Sequence, residues 1–117
     1  LNGNNFNGTI PLECGALTAL EKLHLEDNEF GGFLPSEVGL LTNLKDLRLN
    51  ENNLNGTVPV QYSDIQQLER VQLQENNLTG SVDDIFCGSR ERPLDYLSAD
   101  CGASPPEISC SCCNVCC

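Results

Sequence analysis

Leu44 to Pro59 reads LKDLRLNENNLNGTVP, and its spacing decides the architecture. Leu47 and Leu49 stand two residues apart and share one face of a strand, while Asp46, Arg48 and Asn50 take the other. The strand ends at Asn52, and Leu54-x-Gly56-x-Val58-Pro59 carries the chain away along an arc.

Outward from this stretch the same pattern recurs. Asn4, Asn28, Asn52 and Asn76 are each 24 residues apart, and Leu20/Leu23/Leu25, Leu44/Leu47/Leu49 and Leu68/Val71/Leu73 keep step with them. Gly8, Gly32, Gly56 and Gly80 share the period, as do Ile10, Leu34, Val58 and Val82. Each unit therefore reads as a short strand, a turn at the Asn, an irregular arc and a short helical or extended return. Successive strands must then run parallel. Their inward leucines form one continuous core, and a ladder of buried Asn side chains can satisfy the backbone groups freed where each strand turns. Pro11, Pro35 and Pro59 suit the outer arc, where no ladder amide is required. One unit cannot bury its own apolar face, so stability has to come from stacking.

The pattern LxxLxLxxNxLxGxVP at a 24-residue period resembles the plant-type leucine-rich repeat of extracellular receptors and inhibitor proteins, over Leu1 to Val82. The resemblance implies an α/β solenoid, a horseshoe fragment with parallel strands on its concave face and an irregular or short helical convex side. It also implies recognition of a protein, peptide or saccharide on the strand face or flank. Leu1 to Pro11 matches Leu49 to Pro59, so the chain is expected to lack the first half of a repeat and any leader before it. Residues 1–82 form the repeat region on this reading, and residues 83–117 form a terminal rung and a Cys-rich cap. A last strand is expected at Leu94-x-x-Leu97-x-Ala99, with Gly102 in the Asn slot. LSADC followed by PPEISCSCC resembles the Cys-rich ends of leucine-rich-repeat proteins in microalgae.

Charge narrows the class of partner. Six Lys and Arg against seventeen Asp and Glu give a net charge of -11, which repels nucleic acid and anionic lipid headgroups. No hydrophobic run is long enough to span a bilayer. Eight cysteines point to an oxidising compartment, hence the secretory pathway and an extracellular or cell-surface location. Sequons at Asn7, Asn55 and Asn77 point the same way and are the candidate glycosylation sites.

Outward strand positions align in columns about 4.8 Å apart. They give Lys22, Asp46 and Arg70, then His24, Arg48 and Gln72, then Glu26, Asn50 and Gln74 as the candidate partner-binding strip; Tyr96, Ser98 and Asp100 extend the three columns. The bland alternative is a self-neutralising surface ladder, since the first column alternates in sign. Reversing the charge of Arg48 is expected to weaken binding without lowering stability. Asp27, Glu51 and Glu75 form a like-signed column, read as solvated shoulder residues rather than a calcium site. His24, the single histidine, has no nucleophile motif around it, so neither a catalytic residue nor a cofactor is expected.

Cys14 occupies the slot of Val38 and Tyr62 and reads as a buried thiol. Cys112-Cys113 and Cys116-Cys117 are adjacent pairs whose Cα separation, about 3.8 Å, is too short for an ordinary bridge. Their partners must lie elsewhere, with Cys87, Cys101 and Cys110 as candidates. Disulfides sealing the end of the core are the leading reading, with connectivity open. The rivals are thiolate metal or redox chemistry at Cys113-x-x-Cys116 with Cys110, Cys112 and Cys117 close by, and acylation at a membrane surface. A monomer is expected, and the odd number of tail cysteines, seven, leaves a disulfide-linked dimer as the alternative. Inhibition of a secreted hydrolase is a further function the family resemblance permits.

Overall fold

The computed structural model describes Gly3 and residues 7–88, 94–102 and 108–116. Asn4, the polar loop after Gly88, the Ala103 to Glu107 linker and Cys117 lie outside the described residues. The strands are β1 (Asn7–Thr9), β2 (Lys22–His24), β3 (Glu29–Phe33), β4 (Asp46–Arg48), β5 (Asn53–Thr57), β6 (Arg70–Gln72), β7 (Asn77–Ser81), β8 (Tyr96–Ala99), β9 (Ile108–Ser109) and β10 (Val115–Cys116). One turn of α-helix, α1 (Asp83–Phe86), follows β7, and 3-10 turns occupy Leu12–Ala16, Ser36–Leu40 and Val60–Asp64.

Two parallel sheets result. The first, β10-β8-β6-β4-β2, is the concave strand face, and its register sets Lys22 beside Asp46, Asp46 beside Arg70 and Arg70 beside Tyr96. The second runs β1-β3-β5-β7-β9. Its strands are the Leu-x-Gly arcs, which the spacing alone left irregular. The reason is packing: once rungs stack, the arcs of neighbouring units lie one strand spacing apart, and their backbone groups pair with each other.

The core sits between the sheets and the 3-10 turns. Leu23, Leu25, Leu47, Leu49, Val71, Leu73 and Leu97 project into it from the first sheet, and Phe30, Leu54 and Leu78 from the second. Tyr62, fully buried, donates its hydroxyl to the Pro35 carbonyl at 2.9 Å, and burial pushes the phenol strongly upward from its usual pKa. The 3-10 turns approach each other closely. A Cβ on Gly39 would lie 2.6 Å from the Gln61 carbonyl oxygen, so only glycine fits there. Cys14 is half-buried rather than buried, packed against the core cluster; burial and then the Glu13 carboxylate raise its thiol pKa.

The Asn ladder sits at the turn between the sheets. Asn52 Nδ2 donates to the carbonyls of Leu25, Leu49 and Asn50 at 2.9, 3.2 and 3.2 Å, and its Oδ1 accepts from the Phe30 amide at 3.1 Å. Asn76 repeats this one rung on, with its Oδ1 taking the Leu54 amide at 3.0 Å. Each Asn thus ties its own strand end to the preceding rung. Just before each ladder residue, Asp27, Glu51 and Glu75 adopt left-handed backbone with φ of 56°, 59° and 60°. Such a conformation is uncommon for residues other than glycine.

The chain ends differently. In interior rungs the Asp27 and Asn28 amides donate to the Asn50 and Glu51 carbonyls of the next rung. The Glu75 and Asn76 amides donate instead to Asp100 Oδ1 at 3.0 Å and Oδ2 at 3.2 Å, so one carboxylate replaces two backbone carbonyls. The tail then supplies its own strands: β9 extends the second sheet and β10 the first, with Val115 beside Ser98. Three disulfides hold it, Cys87–Cys112, Cys101–Cys116 and Cys110–Cys113. No adjacent cysteines are bonded to each other among the described residues.

Candidate functional site

The concave strip is built from side chains that the first sheet projects away from the core. Asp46 is its centre. Arg48 Nε and Nη2 donate to Asp46 Oδ1 and Oδ2 at 3.1 and 3.0 Å, a two-pronged contact that fixes both side chains. His24 Nε2 lies 3.0 Å from Asp46 Oδ2. Arg48 Nη1 also lies 3.8 Å from Glu26 Oε2. Burial pushes the Asp46 carboxyl up, but the Arg48 and His24 contacts together outweigh it, and its pKa lies below the usual value. The Asp46 hydrogen bond raises the Arg48 pKa, against burial and helped by the Asp46 and Glu26 charges.

This arrangement revises the expectation for Arg48. Its guanidinium holds two carboxylates, so reversing its charge would set three like charges together and cost stability as well as any binding. The self-neutralising first column is also replaced: among the described residues, the ion pairs of Asp46 run to His24 and Arg48, while Lys22 stays exposed. Arg70 lies over the Tyr96 ring, 4.4 Å from its centroid. Gln74 accepts from the Ser98 hydroxyl at 2.5 Å, and Gln72 is half-buried between the neighbouring strands. Asn50, expected on the open strip, is only 6 % exposed and forms its floor, with Nδ2 donating to Glu51 Oε1 at 3.4 Å. Asn50 Oδ1 and Glu26 Oε1 are buried acceptors without a donor among the described residues.

Tyr96, Ser98 and Asp100 extend the three columns but were not counted among the partner residues. The signal was in the sequence, since Leu94-x-x-Leu97-x-Ala99 marks a strand whose outward residues continue the strip. Tyr96 now stacks under Arg70, Ser98 is buried against Gln74, and Asp100 caps the preceding rung. The tail metal reading changes place. Cys113 and Cys116 belong to different disulfides, and the three sulfurs that lie within 4.8 Å of one another are those of Cys87, Cys110 and Cys112. All three are bonded, and a bonded sulfur has no thiolate to offer a metal.

The Leucine Rich Repeat family profile matches residues 19–41. No curated protein sequence gives a significant match. Solved structures do. A chain of the BIR3–SERK2 complex of Arabidopsis thaliana is 30 % identical with a TM-score of 0.67, over 88 % of this chain and 59 % of that one. The ectodomain of the receptor kinase SOBIR1 from the same plant gives 27 % and 0.75, over 85 % and 53 %. The BIR2 ectodomain, also from Arabidopsis thaliana, gives 28 % and 0.73, over 99 % and 54 %. The chain spans a little over half the length of each. No helix among the described residues is long and apolar enough to cross a membrane.

Proposed function

We propose, from the premise that this chain is a leucine-rich-repeat solenoid of the plant receptor-ectodomain type with a disulfide-bonded C-terminal end, that it is a non-catalytic recognition module exported through the secretory pathway. Its partner is a protein or peptide that docks on the concave strip. One observation carries this reading: the strip is polar, held in place by the Asp46–Arg48–His24 contacts, and covered by no other element among the described residues. Side chains already fixed lose little entropy on binding. The net charge of -11 favours a partner that presents positive charge. The disulfides support export. Inhibition of a secreted hydrolase is one form such recognition takes.

The test leaves Arg48 alone and alters residues free of the Asp46 cluster. Lys22→Glu with Arg70→Glu is compared with Thr57→Glu on the second sheet, each checked for an unchanged Tm. Parent protein is used to capture partners from extracellular fluid, and cross-linked peptides are mapped. Contacts on the strip, with affinity reduced about tenfold or more by the first variant only, support the reading. Cross-links confined to the second sheet or the 3-10 turns refute it. Assay of a captured hydrolase separates inhibition from plain binding.

A further inference from the structure

The second sheet turns an outward face that the proposed function does not use. Asn7, Thr9, Glu29, Phe33, Asn53, Asn55, Thr57, Asn77, Thr79 and Ser81 are exposed there, while Phe30, Leu54 and Leu78 between them point into the core. Two features of this face stand out. All three sequon asparagines, Asn7, Asn55 and Asn77, lie on it, and so does Phe33, which at 74 % exposed is the most open large apolar side chain described.

Register brings the two features together. In the first sheet paired residues are 24 apart, as Leu23 is with Leu47, but in the second sheet they are 22 apart, as Phe33 is with Asn55. A strict 24-residue column would set Phe33 beside Thr57. The slant sets it beside Asn55, one strand spacing or about 4.8 Å away. Gly56 completes the arrangement. A Cβ there would lie 2.6 Å from Phe33 Cδ1, so the ring edge rests against bare backbone where any side chain would lift it away. Beyond the ring lies a groove of about 670 Å³ lined by Thr9, Leu12, Glu13 and Phe33 among others, so the ring borders open volume.

We infer that Asn55 carries an N-linked glycan whose first sugar stacks its C–H face on the Phe33 ring. An N-acetylhexosamine has one face of C–H groups, and the aromatic face is electron-rich, so the two attract when brought into contact. The covalent step is ordinary: Asn55 Nδ2 attacks the anomeric carbon of a polyprenyl-diphosphate-linked oligosaccharide in the secretory membrane. The C–N bond forms, the C–O bond to the diphosphate breaks, the lipid diphosphate leaves with the electron pair, and the amide gives up one proton. The glycan then covers the outward face of the second sheet with bulky, solvated sugar. It leaves open the concave strip, which the other sheet carries. The inference rests on the secretory reading above.

The chain is produced behind a secretory leader in a eukaryotic host, and its disulfides and sequon occupancy are read by peptide mass spectrometry. Asn55 occupied in most copies is the expected result. Enzymatic removal of the glycan should lower Tm by about 2 to 5 °C, and this loss should vanish in Phe33→Ser, whose exposed position leaves folding intact. An unoccupied Asn55 in disulfide-bonded protein overturns the inference while leaving the secretory reading standing. Free thiols throughout overturn the secretory reading itself. An equal Tm loss in Phe33→Ser and parent shows a glycan without the stack and refutes the Phe33 role.

Discussion

The rung around Asn52 and the rung around Asp100 solve one problem in two ways. Both must satisfy backbone groups where a strand of the first sheet ends. The interior rung offers the Asn50 and Glu51 backbone carbonyls to the Asp27 and Asn28 amides before it, and adds the neutral Asn52 side-chain amide, which reaches three carbonyls and one amide at once. The last rung uses a half-buried carboxylate, with a short returning tail clamped by disulfides. An interior rung always has a neighbour to supply carbonyls, whereas the end must find them in side chains. Repetition therefore stabilises the middle, and covalent bonds and charge stabilise the end.

The comparison breaks most easily at the disulfides. Removing Cys87–Cys112 by a double Cys→Ser change should cost about 2 to 4 kcal/mol, seen as a lower Tm and as early amide exchange in β8, β9 and β10. If the loss of protection spread evenly over all rungs, the end would not be a separate unit. Next comes Asn52→Ala, which removes the Oδ1 acceptor used by the Phe30 amide and one donor from each of the Leu25, Leu49 and Asn50 carbonyls, and should cost about 2 to 3 kcal/mol. Asp100→Ala should cost about 1 to 2 kcal/mol, with exchange accelerated at the Glu75 and Asn76 amides and not at Phe30. A larger penalty for Asp100 than for Asn52 would reverse the assignment of roles.

The smallest effect is the dependence on acid. The folded pKa of Asp46 is depressed by Arg48 and His24, so its contribution is fully present above the unfolded value of about 4. It is lost as pH falls through the lower folded value. Parent protein should thus lose more stability than Asp46→Asn between about pH 4 and pH 2, measured by urea midpoints. Matching slopes would mean that the strip is not held by this carboxylate.

Much of the fold was legible because a solenoid writes its core locally. Leu47, Leu49 and Asn52 declare a strand face and its turn within six residues, and three further copies confirm the period. The strip was legible in part. Strand alternation found Asp46, Arg48 and Arg70, but it also put Asn50 on the surface, where the structure buries it, because alternation fails where the strand turns into the ladder. The second sheet was missed because Asn53–Thr57 contains glycine and asparagine, poor strand formers alone, and becomes a strand only through neighbours already in register.

The sequence by itself determined the 24-residue period, the parallel stacking, the Asn ladder and the requirement that adjacent cysteines find partners elsewhere. All follow from spacing, which is a property of a single chain segment. Only the tertiary structure decided which cysteines pair, which carboxylates Arg48 holds, that Asp100 ends the ladder and that Phe33 lies beside Asn55. Those depend on the rise and slant between rungs, and a two-residue difference in register between the sheets is set by how the rungs pack.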